Sequence, residues 1–476
     1  MHFVSFTLQP PGGVVAAIYG QFSAAKAQEI VVARPGGVLE LLRPDEASGK
    51  VVSVATTPTF SVIRSLAPFR LTGGSRDYVV VGSDAGAVAV VEFDAAANAF
   101  SRVHCEVFGK TGCRRGVPGQ YVCCDPRGRA LMVAAVEKQK LVYVMNRDAS
   151  SNLTIGSPLE AHKAATVCFH AVALDVGFDN PTFAALELEY GDCDADASGE
   201  AVDETEKMLT YYELDLGLNH VTRRWSEPVS RTANLLVAVP GGDEGPSGVL
   251  VCGENWVAYK HEGHAEVRAP LPRRLGYPAA RGLLITATAT HRQRELFFFL
   301  LQSELGDLYK VTLAWAPGAG VSDVRASVFD CIFPCAALCI TRTGLLYAAA
   351  EFGDHGLFQF QGIGDDDGAA AAAAVHDPEL GDDAASAATV APTFVASDRP
   401  KNLLLLDEPA SCRAITDVHC GDLAGEEAPQ VYALCGKGHR SSLRVLRHGV
   451  AVSEMAVSEL PGRPSAVWTV RGRHDE

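Results

Sequence analysis

EIVVARPGGVLELL, residues 29–42, decides the fold. Two apolar runs, EIVVA and GVLELL, flank a tight turn at Gly36, which is the signature of a β-hairpin. The arrangement returns along the chain: YVVVG and AVAVVEF around Asp84, ALMVAAV and LVYVM around Lys138, and FAALELEY and LTYYELDL across an acidic insert. Four more pairs follow: VLVC and WVAYK around Glu254, LFFFLL and LYKVTL around Gly306, LLYAAA and LFQF around Asp354, and QVYALC and SLRVLR around Lys437. The spacing of roughly 40 to 60 residues is that of propeller blades. A lone hairpin is marginal in water, so each unit needs a neighbour's surface. Radial stacking of four-stranded blades supplies that surface and hides most strand edges. Outer strands frame the hairpins, as SVIRSLAPF and FSRVHCEVF do on either side of the Asp84 turn. The expected fold is all-β, a WD40-like β-propeller whose blades each hold four antiparallel strands.

The repeat runs nearly unbroken through 476 residues and favours one large domain over several small ones. Apolar residues make up 47% of the chain, with 45 Gly and 25 Pro, the balance of a turn-rich β protein with a sizeable core. The formal net charge of −16 opposes unassisted binding to a phosphate backbone, which needs a basic surface. Much of the acidity is segregated into EYGDCDADASGEAVDETE (residues 189–206) and GDDDG (364–368), which read as solvated loops. The 13 cysteines are odd in number. Cys168, Cys252, Cys339 and Cys435 lie within apolar strand-like runs, as free thiols do in a reducing, intracellular setting. No run approaches the roughly 18 apolar residues of a spanning helix, and MHFVSFTLQPPGG lacks the plan of a secretory signal. No membrane association is expected, and Asn152-Leu153-Thr154 reads as a chance glycosylation triplet. The stretch 362–397, acidic with an alanine run, reads as a disordered loop between strands.

Catalytic and metal motifs fail on spacing. Gly109-Lys110-Thr111 lacks the earlier glycine of a phosphate loop, because His104 stands there. Asp192, Asp194 and Asp196 open like a calcium loop, yet Ala197 and Asp203 occupy the required Gly and Glu positions. Cys331, Cys335 and Cys339 are spaced by four, which on a continuous strand puts three thiols on one face, short of a tetrahedral site; core packing is expected. His261 and His264 read as solvated turn histidines. No GxSxG elbow or dinucleotide glycine motif is present. The expectation is a non-enzymatic protein with no cofactor and no metal.

Irregular blocks carry further information: EIVVAR (29–34), FRLTGGSRDYVVVGSDAG (69–86), EKQKLVYVMNRD (137–148), YYELDLGLNHVTR (211–223) and RSSLRVLRHGVAVSEMAVSELPG (440–462). They resemble the N-terminal part of the splicing factor 3b subunit 3 family, and the likeness runs from about Phe3 to Val470. The wider superfamily includes the damaged-DNA-binding adaptor of cullin ubiquitin ligases and the large subunit of the cleavage and polyadenylation factor. The resemblance implies a seven-bladed propeller in a protein-interaction scaffold of the splicing factor 3b complex of the U2 small nuclear ribonucleoprotein. That scaffold acts in the nucleus in pre-mRNA splicing and branch-site recognition. Its implied partners are the helical-repeat large subunit and the small subunits of that complex, with little or no direct RNA contact. A cullin-ligase adaptor and direct nucleic-acid binding in mRNA 3′-end processing are the alternatives.

The expected organisation follows. Residues 1–14 hold an N-terminal strand that in the family pairs with a distant propeller; VSFTLQ is expected to lack that partner here and to be displaced. Residues 15–455 form the propeller with its insert at 362–397, and 456–476, including ELPGRPSAVWTV, form the truncated start of a second propeller. Eight hairpins against seven blades leave one pair either shared between the chain's ends or belonging to the next propeller. Candidate partner-binding residues are basic: Lys110, Arg114 and Arg115 in a loop between units, and Arg440, Arg444 and Arg447 on the last hairpin. Arg444 and Arg447 cannot share one side of a regular strand, so one of them is expected to be structural.

Overall fold

The computed structural model describes residues 11–45, 47–108, 116–137, 139–150, 152–161, 163–278, 280–293, 296–364, 392–397, 399–423, 425 and 429–447. Seven antiparallel sheets follow one another along the chain, at residues 16–58, 63–107, 121–160, 166–229, 235–270, 285–331 and 335–407. Strands neighbour one another in chain order, four to a sheet; in the third, the outermost strand is split into Leu153–Ile155 and Leu159–Glu160. The first strand of each sheet packs on the first strand of the next, and Cys335–Ile340 of the seventh packs back on Ala16–Gly20 of the first. This closes a ring.

The period of two explains why these strands are apolar throughout. Successive side chains point to opposite faces, and in a radial stack both faces meet a neighbour. In Glu29–Arg34, which is wholly buried, Val31 and Ala33 join a cluster with the second sheet's Ile63, Val79 and Val81. Ile30 and Val32 turn the other way, to Cys339, Tyr347 and Ala349 of the seventh sheet. One such cluster fills each of the seven junctions. Each buried leucine or valine contributes about 1.5–3 kcal/mol of transfer free energy, so the core is distributed around the ring and has no single centre. The hairpin 29–42 turns at Gly36 and Gly37, both at positive φ; a Cβ on Gly37 would lie 1.9 Å from the Ser61 carbonyl oxygen, so only glycine fits.

The eighth hairpin, QVYALC with SLRVLR, stands outside the ring. Ile415–Gly421, Gln430–Cys435 and Ser442–Leu446 make a separate three-stranded sheet, and no cluster reaches past Leu403. The ring therefore ends near Asp407, well short of residue 455.

Other expectations shift as well. Cys331, Cys335 and Cys339 do not share a strand: Cys331 ends the sixth sheet's outermost strand, and Ile332–Pro334 turns the chain into the seventh sheet. Cys335 and Cys339 then face opposite junctions, because a register shift between Cys335 and Ala337 breaks the alternation. The acidic stretch 189–206 is not simply a loop. Two short helices, Gly191–Ala195 and Glu200–Glu204, form in it, and the Asp196 carboxylate accepts the Ser198 and Ala201 N–H groups. The centre of the insert 362–397 lies outside the described residues, but its base is ordered. Thr393–Phe394 pairs in parallel with Arg273–Arg274, and the buried Asp330 carboxylate takes the N–H groups of Lys401, Asn402 and Leu403 at 2.9 to 3.1 Å. The N-terminal strand near Phe3 and the residues from 448 onward also lie outside the described residues.

Candidate interaction surfaces

Where the ring closes, polar groups bind four segments together. The His355 side chain is buried, with Nδ1 accepting the Ala350 N–H at 3.0 Å and Nε2 2.7 Å from the Gly12 carbonyl. That pattern requires the neutral ring with its proton on Nε2. Burial pushes the His355 pKa down to about 4, with the Arg34 guanidinium acting in the same direction and the Gly12 hydrogen bond opposing. Arg34 donates to Gly12 and Gly13 and pairs with Glu40 at 2.7 Å, and Arg413 donates to the Val14 carbonyl at 2.8 Å. The N-terminal segment, the first sheet, the seventh sheet and the linker after it are thus tied at one point.

Asp354, next to His355, holds the three-stranded sheet. Arg444 grips its carboxylate through both oxygens at 2.6 and 2.7 Å, and the Ser411 N–H adds a bond of 2.7 Å. Arg440 donates to the Asp354 carbonyl at 2.8 Å and lays its guanidinium 3.9 Å from the centre of the Phe333 ring. Hydrogen bonding to Asp354 raises the Arg444 pKa, whereas desolvation lowers that of Arg440. Of the six basic residues singled out from sequence, Arg440 and Arg444 therefore turn inward to internal partners. Arg447 is also engaged, and Lys110, Arg114 and Arg115 lie outside the described residues.

With Arg444 facing the ring, the alternate positions face solvent. Leu443 is 64% exposed, and Leu434 and Val445, across the strands from it and beside it, are also exposed. The alternation in SLRVLR was the available signal, but its apolar members, not its arginines, form the open surface.

A cleft of about 370 Å³ opens where the innermost strands end, lined by Tyr19, Gln21, Arg70, Asp77, Pro126 and Arg342. Arg70 is locked to Asp77 at 2.8 and 2.9 Å and to Gln21 at 3.1 Å. His261 lines a second cleft, of about 290 Å³, between the fourth and fifth sheets, and is half-buried rather than solvated; His264, stacked 5.1 Å from it, is exposed in the turn as expected. Desolvation lowers the His261 pKa. Among the described residues no group of three His, Cys, Asp or Glu is placed to hold a metal, and no helix is long and apolar enough to cross a membrane. Most strongly perturbed groups lie within the sheet packing; Asp196, lowered to about 2 by hydrogen bonds from the Ala201 and Ser198 N–H groups and the Ser198 hydroxyl in the exposed insert, is an exception. Lys140, lowered to about 8 by desolvation, is buried with Glu187 and Tyr212 between the third and fourth sheets.

This geometry agrees with comparison to known proteins. The family model described as RSE1/DDB1/CPSF1 first beta-propeller matches residues 13–402, close to the limits of the seven-sheet ring. The chain is 52% identical to spliceosome-associated protein 130 A of Arabidopsis thaliana, over 99% of this chain and 38% of that protein. It is 51% identical to splicing factor 3B subunit 3 of Drosophila melanogaster, over 100% and 38%. It is 48% identical to pre-mRNA-splicing factor RSE1 of Mycosarcoma maydis, over 99% and 39%. The chain thus spans under two-fifths of the length of these relatives. A propeller ring matched over all but its last strand, together with identity near one half along the whole chain, places it in the RSE1/DDB1/CPSF1 first beta-propeller family.

Proposed function

We propose that this chain is a non-enzymatic protein-interaction scaffold of the splicing factor 3B complex, acting in pre-mRNA splicing in the nucleus. The observation that carries the reading is identity of about one half, over essentially every residue, to proteins named for that complex and that process. Three physical features support it. The net charge of −16 disfavours a phosphate-binding role and suits contact with other proteins. Perturbed ionisable groups mark active sites when they face a cleft, but Lys140 and His355, both lowered by desolvation, are buried away from the clefts. Loops at the ends of the strands, held on a rigid ring, are the usual place for binding residues.

The partners in this reading are other subunits of the complex, the helical-repeat large subunit and the small subunits, with little direct RNA contact. The loop holding Lys110, Arg114 and Arg115 is proposed as one contact, through charge-assisted bonds to an acidic partner. Residues 415–446 are proposed as the first sheet of a following unit, clipped to the ring through Asp354. The cullin-ligase alternative is weaker, because relatives about one-half identical along the whole chain carry splicing names.

The test is affinity purification of the tagged chain from nuclear extract at moderate salt with nuclease treatment, read by mass spectrometry. Recovery of splicing factor 3B subunits is expected. Recovery of cullin components instead, or complete loss of capture on nuclease treatment, would overturn the reading.

A further inference from the structure

Four neighbouring loops of the ring gather positive charge on a chain that is acidic overall. They join the first and second strands of the seventh, first, second and third sheets: residues 341–344, 21–28, 70–77 and 125–129. Each touches the next. The Arg342 N–H donates to the Gln28 side-chain oxygen at 3.1 Å, the Asp77 N–H to the Gln21 carbonyl at 2.8 Å, and the Thr72 hydroxyl to the Arg127 carbonyl at 3.2 Å. The cleft of about 370 Å³ lies among them, with Arg70, Pro126 and Arg342 in its wall.

The carboxylates of this sector are engaged internally. Asp77 holds Arg70 through both oxygens, Asp125 holds Arg129 in the same way at 2.9 Å, and Asp148 accepts the Ser150 and Asn152 N–H groups at 2.8 Å. The cations exceed them. Lys26, Arg127, Arg147 and Arg342 are exposed, and none has an ion-pair partner among the described residues. Arg147, at the end of Lys140–Arg147, reaches the 70–77 loop: a Cβ on Gly74 would stand 3.6 Å from its Nη2 and 3.6 Å from the Arg70 Cγ. Arg127 lies 4.6 Å from the centre of the Phe178 ring, itself 83% exposed. Unpaired like charges in adjoining loops repel one another, so folding gains nothing by collecting them, whereas an anion from outside relieves the repulsion.

The charge pattern around the cleft selects that anion. The next two loops, 174–181 and 239–248, carry the exposed carboxylates Asp179 and Asp243. They adjoin the basic sector, because Arg129 donates to the Asp179 carbonyl at 2.7 Å and the Ser247 hydroxyl to the Asp175 carbonyl at 2.7 Å. The basic sector is therefore short. A nucleic-acid strand extending past the cleft would meet like charge, while a short run of carboxylates fits within the sector, and guanidinium forks match carboxylates through two parallel bonds.

We infer that this cleft and its rim of Arg342, Arg147 and Arg127 bind an acidic segment of a protein partner. The inference deepens the scaffold reading, on which it rests for the partner's being a protein; the site itself stands on local charge.

The experiment measures fluorescence anisotropy of labelled decaglutamate, decaserine and a ten-nucleotide oligouridylate titrated with the full chain. The variants are Arg342→Glu/Arg147→Glu and Arg102→Glu/Arg281→Glu, the second pair being exposed arginines away from the cleft that make the same change in net charge. Wild type is expected to bind decaglutamate at low salt and decaserine not at all. The first double variant should weaken that binding by about tenfold or more, and the second should leave it within about twofold. Thermal midpoints are measured alongside, and Arg342→Gln/Arg147→Gln, which adds no new charge, should weaken binding several-fold with its midpoint unchanged. No preference for decaglutamate over decaserine would overturn the site. Equal weakening by both Glu double variants would also do so, since net charge alone would then be acting, as would unchanged affinity in the Gln variant. Tighter binding of oligouridylate, lost in the first double variant, would overturn the acidic protein segment as occupant. The scaffold reading fails separately, in the affinity purification from nuclear extract.

Discussion

LLYAAA in the seventh sheet and QVYALC in the three-stranded sheet are both short apolar runs with a tyrosine at the third position, yet their fates differ. Every residue of Leu345–Ala350 is buried, whereas Gln430–Cys435 is buried on one face and Ile415–Gly421 beside it is exposed along almost its whole length. The difference lies in the neighbours. The seventh sheet sits between the sixth and the first, and its two faces fill two clusters. The three-stranded sheet is tied to the ring through Arg444 and Arg440, which bind Asp354, and through the Arg440 guanidinium over Phe333. Hairpin pattern specifies a strand pair; burial of both faces comes from closure.

The largest effect expected from this contrast is in the ring. Leu346→Ala removes a fully buried side chain from the junction of the sixth and seventh sheets and should cost about 2–5 kcal/mol in chemical denaturation. A cost below about 1 kcal/mol would mean that the ring closes loosely.

The next concerns pH. The folded-state pKa of His355, about 4, lies below its unfolded value of about 6.5. The unfolded chain therefore takes up the proton first. The contribution is complete above pH ~6.5, is lost as pH falls toward 4 at no more than about 1.4 kcal/mol per unit, and levels off below that. Protonation would put a hydrogen on Nδ1 facing the Ala350 N–H, beside Arg34. His355→Gln should flatten the fall between pH 6.5 and 4 by about one proton's worth, as measured by urea titrations at a series of pH values; an unchanged slope would remove His355 from the account.

Asp354→Ala should act on the sheet and leave the ring intact. It deletes a two-bond ion pair and an N–H acceptor, worth about 1–3 kcal/mol. Limited proteolysis should then cut faster within 408–446 and no faster within 16–407. Smallest of all, Leu443→Ser in the exposed face should change stability by about 0.5 kcal/mol or less. It would improve solubility if that face drives association.

All eight hairpins and the all-β fold were legible because alternation over short runs is a local signal. The fate of the eighth was not, since it depends on whether another sheet stands beside it. The odd spacing of Arg444 and Arg447 implied that one of them is structural, yet the partner of Arg444, Asp354, lies 90 positions earlier and no local spacing connects them. Cys331, Cys335 and Cys339 misled for a related reason: even spacing was read along one strand, whereas Pro334 sits at a turn between two sheets. The short helices at 191–204 were hidden by acidic composition; the turn between them is held by the Asp196 carboxylate, which accepts the Ser198 and Ala201 N–H groups.

Native-state hydrogen exchange read by mass spectrometry tests the central contrast most directly. The account predicts that the second and third strands of all seven sheets, Glu29–Arg34 and Leu345–Ala350 among them, exchange together and only by global unfolding. Strands Ile415–Gly421 and Ser442–Leu446 should exchange orders of magnitude faster. Equal protection of the three-stranded sheet and the ring, or early loss at the junction of the first and seventh sheets, would contradict it.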